Sequence, residues 1–191
     1  TVGKNVESIA YNSFSNCTAL KTIVVDAQNA NYDSRNDCNA IIETATNKLI
    51  LASNNGLVPA EVTAIGTGAF STCPDFDVIV PAVITDVENE AFKGVGRLWF
   101  ESENPAAITG DVFGWGAIYV PSASYDAYVS APVWSEYKNR IVTPELANKE
   151  IEVYSTEGSS GVLNAVGLNE ADRVVKLKVK GEINSYDMIV I

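Results

Sequence analysis

Five acidic side chains carry the spacing that general acid–base chemistry asks for: Asp75 and Asp77, then Asp86, Glu88 and Glu90. Residues i and i+2 of a strand share a face, so either set could hold two carboxyls side by side. The rest of a hydrolase is missing. The chain has no His, which removes Ser-His-Asp and Cys-His nucleophile pairs and the usual zinc and iron ligand sets. No nucleophile or cleft-forming motif accompanies the carboxylates, so they read as a solvated acidic face, and the chain as a non-enzyme without a cofactor. A second oxygen-rich set, Asp33, Asn36, Asp37 and Asn39, could hold Ca²⁺. Its spacing departs from the alternate ligands and terminal Glu of an EF-hand loop. It reads as a turn, and no metal ligand is assigned.

Charge narrows the partners. With 13 basic and 24 acidic residues the net charge is -11: 8 against 17 up to Asn148 (-9), and 5 against 7 from Lys149 onward (-2). Phosphate tracking needs clustered cations, and only Lys176, Lys178 and Lys180 gather, on alternate positions. Nucleic acid and anionic lipid are therefore not expected. No stretch approaches the ~20 apolar residues of a membrane span. The chain opens at Thr1 and closes on Met188-Ile-Val-Ile191, and both ends are expected to be cut from something longer, with any targeting signal out of view.

The elements that position these residues are written in a phrase that returns four times: Val6-x-x-Ile9-x4-Phe14, Val62-x-x-Ile65-x4-Phe70, Ile84-x-x-Val87-x4-Phe92 and, weaker, Ile108-x4-Phe113. The last three Phe residues stand 22 and 21 positions apart. A period of about 20–25 residues predicts a solenoid whose coils bury one apolar side against the next. Each copy is expected to carry a second short strand, at Leu20–Val25, Phe76–Pro81, Leu98–Phe100 and Ile118–Pro121. Alternation there would send Ile23, Ile79, Leu98, Phe100, Ile118 and Val120 inward. Cys17 and Cys73 each follow a repeat Phe by three residues, so they occupy equivalent sites. Two coils at ~4.8 Å each separate such sites by ~10 Å, beyond the ~7 Å Cα reach of a disulfide. Both are expected as small buried thiols.

Between the first two copies, Asn29 to Asn55 contains two apolar runs around a Thr-Asn turn, which predicts an inserted β-hairpin. Leu57-Val58-Pro59 would then resume the second strand. After Pro121, Ser122 reads as the N-cap of a helix through Tyr125 and Tyr128, and Pro132 to Lys138 as a second helical turn. Together they form a cap over about 122–140, with Trp115 and Trp134 packed into it. Pro144 opens a linker. Residues 143–191, with Val175, Leu177 and Val179 alternating against lysines, read as the truncated start of a second module, since some 40 residues is too few for an independent core.

The phrases resemble the BspA-like leucine-rich repeats of bacterial surface proteins, whose unit reads roughly L-x-x-I-x-I-P-x-x-V-x-x-I-G-x-x-A-F-x-x-C. Val78-Ile-Val-Pro81 and Val62-Thr-Ala-Ile-Gly-Thr-Gly-Ala-Phe-Ser-Thr-Cys73 match it almost in full. Cys38-Asn-Ala-Ile-Ile-Glu-Thr-Ala-Thr-Asn-Lys-Leu-Ile50 is similar to a variant unit, and Tyr119-Val-Pro121 to the usual array ending. The likeness covers residues 1 to about 142. The third and fourth copies lack the Cys, and Val112 stands where the fourth should have Ala. The resemblance implies a right-handed, β-rich leucine-rich-repeat superhelix with a helical cap. It also implies a secreted or surface-attached bacterial protein, often lipid-anchored, engaged in adhesion or host-protein binding. It implies no catalytic residue.

Two candidate binding residues remain. Trp99 and Tyr119 are expected to point outward from neighbouring second strands, where adjacent aromatics could stack on a sugar ring or anchor a protein loop; packing beneath the terminal helices or the next domain is the plainer role. The expected function is thus a non-catalytic, cell-surface protein-binding module, with a carbohydrate-binding module using Trp99 and Tyr119 as the alternative.

Overall fold

The strands are, in chain order, β1 (Tyr32–Asp33), β2 (Ala40–Glu43), β3 (Lys48–Ala52), β4 (Ala64–Ile65), β5 (Asp77–Val80), β6 (Asp86–Val87), β7 (Arg97–Phe100), β8 (Ala107–Ile108), β9 (Ala117–Tyr119), β10 (Ile141–Val142), β11 (Glu150–Val153) and β12 (Lys178–Gly181). The structure is a computed structural model that describes residues 1–10, 13–14, 17–71, 73 and 77–144, and the backbone alone of 150–153 and 178–181. Asp75, Phe76 and most of the proposed second module, including Val175 and Leu177, lie outside the described residues.

The two apolar runs of the inserted segment pair as the antiparallel hairpin β2–β3, with Ala40 opposite Ala52 and Glu43 opposite Lys48. Unlike a half-solvated strand, each run is apolar throughout, because the hairpin is buried on both faces. A bulge between Ile41 and Ile42 divides them: Ile42 and Leu49 enter a main core, while Ile41 and Leu51 enter a second core with Tyr32, Ile23 and Val25. The free edge of β3 carries unpaired N–H and C=O groups that need partners. β4 pairs there in parallel, Leu49 opposite Ile65, and β6 and β8 continue the row through Val87 and Ile108.

These pairings correct the expected right-handed leucine-rich-repeat solenoid of short parallel strands. The molecule is a mixed α/β fold with few helices and two main sheets: a six-stranded mixed sheet, β1-β2-β3-β4-β6-β8, and a four-stranded parallel sheet, β10-β9-β7-β5. The segment read as an excursion from one coil supplies half of the larger sheet, and it pairs antiparallel. Two expected second strands do not form. Leu57-Val58-Pro59 is irregular, since the Leu57 amide donates to the Cys38 carbonyl (2.8 Å) and Pro59 has no N–H to give. In the Leu20–Val25 segment Val25 makes an isolated bridge to Val2.

The repeated phrases do place their Phe residues together. Phe70, Phe92 and Phe113 stack with centroids 5.4 and 6.2 Å apart, and Ala69 and Ala91 beside them are fully buried. Phe14 is not part of this stack; it packs against the second core. The open end of the stack is covered by a 3₁₀ turn (Ser122–Ser124), helix α1 (Tyr125–Ser130), a 3₁₀ segment (Trp134–Arg140) and β10, which adds to the parallel sheet beside β9. Trp134 and Tyr128 meet edge to face at 4.8 Å over Phe100. Their polar atoms are satisfied, as buried aromatics require: Trp134 Nε1 donates to the Ala106 carbonyl (2.8 Å) and the Tyr128 hydroxyl to that of Ser102 (2.9 Å).

Candidate functional site

In the parallel sheet Val78, Val80, Leu98, Phe100 and Ile118 enter the main core. The intervening positions form an outer row in which Ile79 lies opposite Trp99, Trp99 opposite Tyr119, and Tyr119 opposite Val142. The fold thus brings Trp99 and Tyr119 together, but turns them onto each other. Their rings stack at 3.7 Å with 9° between planes. Tyr119, closed in by Trp99 and Val142, is only 4% exposed, and Trp99 is half-buried. Burial raises the Tyr119 hydroxyl above its ordinary pKa, partly offset by Arg97. Stacking on a sugar needs a free ring face, and the face that Trp99 shares with Tyr119 is spent. Tyr119 thus lies in the outer row but is covered there, and offers no free stacking surface.

The open end of this row is aliphatic. Ile79, expected to point inward, is 59% exposed. The strand phase is shifted by one residue, so Val78 and Val80 take the buried positions. Leu57 stands eight residues before Ile65 as Ile79 stands eight before Val87, and Ile65 and Val87 are paired; Leu57 is likewise 62% exposed. Beside the row, Arg97 grips Asp77 through Nε–Oδ1 (2.9 Å) and Nη2–Oδ2 (2.6 Å). That bond raises Arg97 above its already high pKa. The pair is exposed and contributes at most about 1 kcal/mol; its role is to give the row a charged border.

The largest correction concerns Trp115. Expected in the cap, it is 71% exposed, while Trp134 is buried. Chain length explains the difference. Phe92 and Phe113 bridge, and Arg97 pairs with Ala117, so the chain spends five steps on one layer and four on the next. The longer layer tucks Val95 into the core; the shorter one has no room for its counterpart and turns Trp115 out. The loop is nonetheless tightly held. A Cβ on Gly114 would lie 2.3 Å from the Lys93 carbonyl oxygen, and one on Gly116 would lie 1.5 Å from that of Gly96. Arg140 donates from Nε (3.0 Å) and Nη2 (2.7 Å) to the Gly116 carbonyl. Burial lowers Arg140 from its ordinary pKa. Sequence reasoning missed Ile79, Leu57 and Trp115, although the one-residue shortening after Phe113 was countable.

Three of the acidic candidates are engaged elsewhere. Asp77 holds Arg97, Glu88 holds Lys48 and Thr67, and Asp86 accepts from Thr85 (2.6 Å). The Asp33 carboxylate is taken by Arg35, which holds it below the usual carboxylate range against the opposing effect of burial. Asn36, Asp37 and Asn39 have φ of 57°, 50° and 52°, the left-handed backbone of a tight turn. Cys73 and Cys38 are buried, but Cys17 is exposed. Its equivalence to Cys73 fails because Phe14 sits outside the Phe stack. Among the described residues no helix is long and apolar enough to cross a membrane. No protein-family model matches the chain, and no curated protein matches its sequence.

Proposed function

We propose that the chain is a non-catalytic protein-binding module, displayed outside the cell as its resemblance to BspA-like bacterial surface proteins implies. The observation that supports this most is Trp115, a large apolar side chain left 71% in water on a loop packed closely on the layer below and held at the Gly116 carbonyl by Arg140. Binding hot spots are enriched in Trp, and a rigid mount avoids the ordering cost that weakens flexible anchors. Exposed Ile79 and Leu57, with the Asp77–Arg97 border, supply a further apolar surface with a polar rim. The net charge of -11 favours partners with basic surfaces. A glycan platform is less well supported, because Tyr119 is covered.

The test is binding of the whole chain to immobilised matrix proteins and, in parallel, to a glycan array. The expected result is saturable binding to a matrix protein that Trp115→Ala weakens by about 30-fold, the effect of a hot spot, with an unchanged thermal midpoint. Glycan binding lost in Trp99→Ala, with no matrix-protein binding, would replace this reading with the carbohydrate one.

A further inference from the structure

The outer face of the six-stranded sheet carries a cleft of about 230 Å³ that shares no residue with the row described above. Its floor is Lys48, Ile50 and Leu51 of β3, with Gly66 and Thr67 after β4 and Glu88 after β6; its wall is Ile9, Ala10 and Phe14. The start of the wall and the segment leading into it are tied down. Ile9 N donates to the Tyr32 hydroxyl (3.1 Å), and Asn29 Nδ2 donates to the carbonyls of Gly3 (2.9 Å) and Val6 (3.0 Å). Gly66 keeps the floor open: a Cβ there would stand 3.2 Å from the Leu49 carbonyl oxygen and 3.3 Å from Lys48 Cδ.

One end of the cleft is apolar, through Ile9, Phe14, Ile50 and Leu51, and the other is charged in a particular order. Glu88 is a strut. Its Oε1 accepts from Lys48 Nζ (2.5 Å), and its Oε2 from the Thr67 amide (3.0 Å) and hydroxyl (2.9 Å). That leaves Lys48 with two of its three N–H donors unused among the described residues. Glu43 stands directly opposite Lys48 in the hairpin. Its Oε2 accepts from Thr46, and its Oε1 has no hydrogen-bond partner among the described residues. A donor and an acceptor of opposite charge therefore sit side by side at the head of an apolar slot.

The geometry points to a site for a small zwitterion with an apolar side chain: a free α-amino acid of the leucine class, its carboxylate on Lys48, its ammonium on Glu43 and its side chain between Phe14 and Ile50. At about 230 Å³ the cleft has room for a molecule of leucine's size. A simple anion is a poorer fit, since it would cover Glu43 without pairing it, and an unpaired covered charge is costly; a simple cation would pair Glu43 but leave the two remaining Lys48 N–H donors covered without an acceptor.

Titration of the whole chain by calorimetry and by amide chemical shifts tests this, with L-leucine, leucinamide and N-acetyl-leucine as probes. L-leucine is expected to bind saturably with a Kd of about 0.1–1 mM, well inside the affinity ceiling for so few atoms, and to shift the Gly66 and Thr67 amides. Leucinamide and N-acetyl-leucine, each lacking one charge, should bind about tenfold more weakly or worse, as should L-leucine to Glu43→Gln. Gly66→Val should abolish binding. If that variant does not fold, Lys48→Met serves instead, since its loss of charge leaves the floor open. No saturable binding of L-leucine would overturn the proposal, and so would equal binding of all three probes or indifference to Glu43→Gln.

Discussion

Two tryptophans in the second half of the chain have opposite fates, and they separate binding from stability at the level of single residues. Trp134 is buried with its indole nitrogen bonded to Ala106, so Trp134→Ala should cost about 3–5 kcal/mol of unfolding free energy in a denaturant titration. Trp115 is exposed, and Trp115→Ala should leave the same titration within about 0.5 kcal/mol of the parent. The loop that carries Trp115 is the sensitive part. With the Gly96 oxygen 1.5 Å from any Cβ at Gly116, Gly116→Ala must displace backbone and should destabilise by about 3 kcal/mol. Gly3→Ala, in open space, is the matched control and should be nearly neutral. None of this was readable from residue type alone, because both tryptophans stand near the cap in sequence and only the layer length distinguishes them.

At the scale of elements the hairpin β2–β3 joins the two cores. Leu49 packs into the main core with Ile65 and Phe70, and Leu51 into the smaller one with Tyr32 and Ile41. Leu49→Ala and Leu51→Ala should each cost about 2–5 kcal/mol. If the hairpin joins the cores without coupling their opening, hydrogen exchange in Leu51→Ala should rise at Val2, Val25 and Tyr32 while amides of β5, β7 and β9 stay protected; uniform acceleration would show instead that the two cores open together. The hairpin itself was legible, from two apolar runs around a Thr-Asn turn. Its place in the sheet was not. Pairing β3 with β4 depends on which backbone edge is left bare, and side-chain pattern does not record that. The phase of β5 was hidden for a related reason: Val78, Ile79 and Val80 are all apolar, so alternation cannot say which of them faces water.

Over the whole molecule the buried cap sets the response to alkali. Burial pushes the Tyr128 hydroxyl up to about 12 from 10. Below pH 10 the residue is neutral whether folded or unfolded and favours neither state. Between about pH 10 and 12 the unfolded chain releases this proton and the folded one does not, so stability should fall by about 3 kcal/mol across that window. Tyr128→Phe should flatten this part of the stability curve, measured by denaturant midpoints at increasing pH. On the acid side the lowered pKa values of Asp33 and Glu88 act the other way, and their contribution is lost as pH falls through the carboxylate range. The sequence by itself determined the acidic charge, the lack of any His-based chemistry, the regular spacing of Phe70, Phe92 and Phe113 and the hairpin, because composition and local periodicity are read directly from the chain. The sheet order was decided only in three dimensions, and with it the mixed architecture, the covering of Tyr119, the exposure of Ile79 and Trp115 and the cleft beside Lys48. Each of these depends on which bare strand edge meets which partner, and on one residue more or less between layers.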